Sequence, residues 1–157
     1  MATEVTAEIL AGVLNETLEE AAFVFAEVAE EAPPFEGEVI QARLGYAGAH
    51  AGELLLALSV DFARNLAANL LGEEENGATI ERGGEDAVGE LLNMIAGALA
   101  TELFGYDQTC KLGIPKVGRV APSAHQAELA RADVATTVVD EEGRRVDLSV
   151  ALKKDAP

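Results

Sequence analysis

The chain has 157 residues, 49% of them hydrophobic, and 28 acidic against 11 basic side chains give it a formal charge of −17. That is apolar material for one folded domain over residues 1–157, and too little length for two. Such a charge disfavours nucleic acid, since no basic cluster beyond Arg144-Arg145 and Lys153-Lys154 can neutralise phosphates.

In chain order, residues 4–31 read as a long helix, with Ile9-Leu10, Val13-Leu14, Thr17-Leu18, Ala21-Ala22 and Phe25 at three- to four-residue spacing and Pro33-Pro34 as its stop. Phe23, Phe25 and Phe35 are expected in the core. Gly37–Tyr46 and Glu53–Ser59 are two β-compatible runs joined by a glycine-containing loop, which predicts a hairpin. Val60–Leu71 is a short amphipathic helix closed by Gly72, and Glu73–Gly84 is a charged linker. A second long helix runs from about Glu85 to Phe104, with Gly105 at the position favoured for a left-handed cap. After an irregular stretch to Val120, Asp133–Val139 and Arg145–Leu152 form a second hairpin around Asp140–Gly143. The expected fold is α+β: long helices on an antiparallel sheet built from two hairpins, with an imperfect internal duplication.

The opening residues lack a basic n-region and a clean apolar h-region, and Cys110 is the single cysteine, so a cytoplasmic chain without a disulfide framework is expected. No apolar run approaches the roughly 18–20 uncharged residues needed to cross a bilayer, so no membrane partner is expected either. Residues 1–42 hold ten acids and no Lys or Arg. They read as a solvated acidic face, or as a surface for a basic partner whose association would weaken as salt rises.

Chemistry concentrates on the second long helix. At 100° per residue Val88, Leu91, Leu92, Ile95, Leu99 and Leu103 form one apolar stripe, and Asp86, Glu90, Asn93 and Gly97 fall on the opposite side. A carboxylate and a carboxamide thus project together one turn apart. Gly89 and Gly97 flank Asn93 at −4 and +4, each costing roughly 1 kcal/mol against alanine. Either they allow close packing against the first helix, or they let another molecule approach Asn93.

With Asp86 and Gly89-Glu90-Leu91-Leu92-Asn93-Met94-Ile95-Ala96-Gly97, the downstream Leu112-Gly113-Ile114-Pro115-Lys116-Val117, and the hairpin from Gly45-Tyr46 through Gly52–Leu56, the chain resembles the CheC/CheX/FliY chemotaxis phosphatases, in particular the CheX-like branch. The resemblance covers about residues 5–152. It implies hydrolysis of the aspartyl phosphate on a phosphorylated CheY-type response regulator, with Glu90 and Asn93 catalytic, Mg²⁺ on the regulator and no cofactor or metal bound by this chain. In that role the Asn93 carboxamide orients a water and Glu90 pairs with the regulator's lysine. Two-site relatives carry a second copy of the motif on the first helix, where this chain has Gly12-Val13-Leu14-Asn15 without the carboxylate, so one site is expected. The resemblance also implies a homodimer formed through the sheet, for which the Arg145–Leu152 edge offers unpaired backbone groups. A noncatalytic adaptor or dimeric scaffold that binds a receiver domain is the alternative.

Other signals point elsewhere. His50, Cys110 and His125 lack the spacing of a zinc site and read as scattered surface or loop residues. Ser123-Ala124-His125 lacks the setting of a nucleophile elbow, and the glycines from Gly45 to Gly52 lack the Lys-Ser/Thr ending of a phosphate loop.

Overall fold

The computed structural model describes residues 4–70, 84–105 and 109–153. Thr6 opens the first helix, its Oγ1 accepting from the Ile9 N–H at 3.2 Å. Helix α1 (Ala7–Ala22) then buries Leu10, Val13, Leu14, Leu18 and Ala22. It stops well short of residue 31. Phe23 adopts left-handed angles of φ 58° and ψ 31°, its N–H donates to the Glu19 carbonyl, and the Val24 N–H donates to that of Leu18. This is a Schellman closure made without glycine. The residues beyond it form strand β1 (Ala26–Val28) instead of more helix. Val24 is buried, and Phe23 and Phe25, expected in the core, stand in solvent at 73% and 55% exposure.

Strands β2 (Val39–Ala47) and β3 (Ala51–Ser59) make the first hairpin, and α2 (Val60–Leu70) follows without a break. Gly72 and residues 73–83 of the expected linker lie outside the described residues. Helix α3 (Glu85–Phe104) has the expected bounds; Gly105 ends it with φ 77° but ψ 175°, extended rather than left-handed helical. Strands β4 (Lys111–Leu112) and β5 (Lys116–Val120) come next. Helix α4 (Pro122–Leu129), absent from the sequence reading, precedes the second hairpin of β6 (Val134–Asp140) and β7 (Arg145–Leu152).

The seven strands are antiparallel in the order β1-β6-β7-β3-β2, with β4 and β5 pairing opposite ends of β2. Strand β7 therefore lies inside the sheet between β6 and β3, and Arg145–Leu152 is not an edge. The edges are β1 and the β4–β5 run. Read outward from the β7–β3 contact, the order is symmetric: the strand that follows α1 borders the second hairpin, and the strands that follow α3 border the first. The duplication is thus interleaved, each half closing the sheet of the other.

Alternation decides which side chains meet the helices. Ile40, Ala42, Leu44, Leu54, Leu56, Leu58, Val146, Leu148 and Val150 form the core with α1, α2 and α3. Twenty-residue α3 has the length and hydropathy of a membrane-spanning segment, yet Val88, Leu91, Leu92, Ile95, Leu99 and Leu103 spend its apolar stripe on this core.

The opposite sheet face holds a buried polar cluster. His125, expected on the surface or in a loop, is enclosed with Asp147 under α4. Gln41 Nε2 donates to His125 Nδ1 at 2.9 Å, so His125 Nε2 carries the proton it gives to Asp147 Oδ2 at 2.7 Å. Arg145 and Thr137 also donate to Asp147, and Arg145 stacks over Phe35 and donates to the Pro33 carbonyl at 3.1 Å. Burial pushes the Asp147 carboxyl upward, but its bonds from His125, Arg145 and Thr137 outweigh this and hold it below the usual range. Glu128 anchors the other end of α4 through a bidentate pair with Arg43, which lowers its carboxyl.

Candidate functional site

Helix α3 lies on the sheet with its apolar stripe inward, which forces the residues half a turn away outward. Asp86, Glu90 and Asn93 are exposed and Gly97 is partly so, and together they form one ridge along the helix. Among the described residues neither Glu90 nor Asn93 makes a side-chain hydrogen bond or ion pair. Two polar groups one turn apart are thereby presented to solvent without an internal partner to satisfy. Arg119 of β5 ties the start of the helix down, its Nε donating to Glu85 Oε1 at 2.8 Å.

The two glycines differ. A Cβ on Gly89 would come within 3.3 Å of Val117 Cγ2 and 3.8 Å of Pro115 Cβ, so its absence lets the helix close on β5. That is a packing role, against a strand rather than the first helix. A Cβ on Gly97 would meet nothing within 4 Å. No internal contact explains Gly97, and it leaves the ridge bare one turn beyond Asn93.

The corresponding tetrapeptide of α1 has a different setting. Gly12 is exposed, but Asn15 is half-buried, with its Oδ1 enclosed and unpartnered. A carboxamide whose oxygen is shut away cannot accept from an incoming water as the exposed Asn93 can.

The remaining titratable groups do not converge on α3. Among the described residues no three or more His, Cys, Asp or Glu side chains gather as a metal site would need. His50 sits in the β2–β3 loop, where the Tyr46 hydroxyl is 3.2 Å from its Nδ1, and burial pushes the Tyr46 phenol up to about 12. The nearby glycines serve packing, since a Cβ on Gly48 would lie 3.1 Å from the Phe104 ring and one on Gly52 2.9 Å from that of Tyr46. Two features escaped the sequence reading. The polar cluster under α4 is enclosed and serves the fold; the second is Ile114, on the β4–β5 connection beside α3, with 84% of its surface exposed.

Residues 40–137 match the family model described as "Chemotaxis phosphatase CheX". Solved structures share the fold along nearly the whole chain. CheX in the CheX–CheY–BeF3–Mg complex from Borrelia burgdorferi superposes with a TM-score of 0.67 at 15% identity, covering 94% of this chain and 97% of that one. CheX from Vibrio vulnificus gives 0.67 at 19% identity, covering 96% and 100%. FliY from Thermotoga maritima gives 0.60 at 20%, covering 93% and 87%. Comparison with curated protein sequences returns no match.

Proposed function

The chain belongs to the CheX family of chemotaxis phosphatases, and on that premise we propose that it hydrolyses the aspartyl phosphate of a CheY-type response regulator in the cytoplasm. The observation that carries this reading is the exposed, unpartnered Glu90 and Asn93 on the outward ridge of α3. In the reaction a water oxygen bonds to phosphorus as the bond from phosphorus to the acyl oxygen breaks. The regulator recovers its carboxylate, and inorganic phosphate and a proton leave. Mg²⁺ belongs to the regulator and offsets charge on the phosphoryl oxygens. What remains for this chain to supply is a held water. The Asn93 oxygen accepts one water hydrogen and its NH₂ donates to the water or to a phosphoryl oxygen, fixing an in-line approach. Glu90 pairs with the regulator's lysine and sets the register between the two proteins.

The test follows phosphate release from a Mg²⁺-loaded, phosphorylated CheY-type regulator. Wild-type protein accelerates it, Asn93→Ala lowers kcat about a hundredfold, and Glu90→Ala raises KM about tenfold or more. Equal rates with and without the wild-type chain would sink the enzymatic reading; binding that persists without turnover would favour the adaptor.

The same proposal includes a homodimer. Its contact moves from Arg145–Leu152, now interior, to the β1 edge, where Phe23, Phe25 and Val28 are all exposed beside an unpaired strand flank.

A further inference from the structure

The ridge of α3 has an apolar neighbour that the two polar residues do not account for. Leu112 lines a small cavity with Ala96, Leu99 and Ala100, while Pro115 and Val117 lie against Gly89. The β4–β5 run therefore passes antiparallel to α3, so that its Gly113–Ile114 stretch falls level with the middle of the helix, between the Gly89 and Ala96–Ala100 contacts. Ile114 is the most exposed large hydrophobic among the described residues. Its backbone is nonetheless held: the Gly113 N–H donates to the Gly45 carbonyl at 2.8 Å, Pro115 fixes the next residue, and both flanking strands are paired to β2. A fixed, solvent-facing isoleucine is a pre-organised contact, because little conformational freedom is lost when something covers it.

The β4–β5 run around it is basic, whereas Asp86 and Glu90 stand exposed on the neighbouring α3, and the basic run bears on what covers Ile114. No Asp or Glu occurs between Gln108 and Ala127, a stretch that carries Lys111, Lys116 and Arg119 in a chain of net charge −17. Lys111 and Lys116 are exposed and, among the described residues, make no ion pair. A second copy fits poorly, since a two-fold contact centred on Ile114 would set these lysines against their own counterparts. A phosphorylated receiver fits well: its acyl phosphate and the carboxylates that hold its Mg²⁺ make an anionic rim around the site Asn93 must reach.

Building on the phosphatase reading above, we propose that Ile114 is the apolar anchor on which the phosphorylated receiver domain docks, with Lys111 and Lys116 steering its anionic rim. Ile114 touches no reacting atom; it positions the partner. The experiment titrates a CheY-type regulator charged with beryllofluoride and Mg²⁺ and measures steady-state phosphate release in parallel. Ile114→Ser weakens binding and raises KM by about tenfold with kcat unchanged, Ile114→Leu restores most of the affinity, and thermal midpoints stay close to the wild-type value because 84% of Ile114 is exposed. Lys111→Glu/Lys116→Glu lowers the association rate and its salt dependence. Wild-type affinity in Ile114→Ser, with Asn93→Ala still inactive, overturns the anchor and leaves the phosphatase reading standing. Conversion of a dimer to monomer by Ile114→Ser, with regulator affinity intact, assigns the patch to self-association and overturns it equally. No binding or turnover by the wild-type chain removes both.

Discussion

Asn93 and Glu90 were legible because a helix exposes whatever its apolar period leaves out. The stripe from Val88 to Leu103 fixed the orientation of α3, and the polar pair had to face outward. What lay opposite each glycine was not legible, since helical spacing says nothing about which strand approaches; hence Gly89, which packs on Pro115 and Val117, looked the same as Gly97, which packs on nothing. Gly97 yields a prediction. With space for a Cβ, Gly97→Ala gains about 0.5–1 kcal/mol of stability from helix propensity alone, and Gly12→Ala, equally open within α1, gains a similar amount. Thermal melts of both variants check the gain. Turnover separates them: Gly97→Ala loses activity because its methyl crowds the docking ridge, and Gly12→Ala keeps it. Full activity in Gly97→Ala would mean that the bare ridge has no part in docking.

Elements were readable where they rest on apolar period and unreadable where polar contacts hold them. Both hairpins, α2 and α3 came through. Helix α1 ends sooner than its apolar pattern, because apolar residues continue past Ala22 and nothing in Phe23 advertises a left-handed cap that glycine usually supplies. Helix α4 has no apolar face; it is fastened by His125 and Glu128, whose partners on β2 and β7 are distant in sequence. Its anchor predicts an acid response. The Asp147 carboxyl is held below its unfolded value of about 3.9, so the stabilisation it confers is full above about pH 4 and is lost as pH falls through the lower native value. Asp147→Asn costs about 3 kcal/mol at neutral pH, because Arg145 is left without its buried counter-charge. Urea midpoints measured from pH 6 to 2 should fall less steeply below pH 4 in the variant than in wild type. Parallel curves would mean that Asp147 does not govern the acid limb.

Across the whole molecule, charge and edges set what can assemble. Ten acids precede Ala42 without a base, and the longest acid-free stretch lies along the β4–β5 edge. The two sheet edges thus differ in kind, one lined by lysines beside α3 and the other by Val28 on β1 and Phe25 just before it. Sequence pattern shows the hairpins but cannot order them, because pairing between distant strands leaves no local mark, and nothing local distinguishes interior β7 from an edge strand. A dimer through β1 predicts that Val28→Lys, which puts a charge on an edge strand, converts the species seen by light scattering from dimer to monomer, while phosphate release per chain is retained. A dimer that survives this change does not use β1.

The crossed arrangement of the two halves also governs how the chain comes to be folded. Ala26 finds its partner at Asp140, so the first strand must wait for nearly the last to be synthesised. Long-range pairings of this kind slow folding. A product cut short before Asp140 would carry an open sheet flank, which only a chain or fragment that still has the missing strands could close.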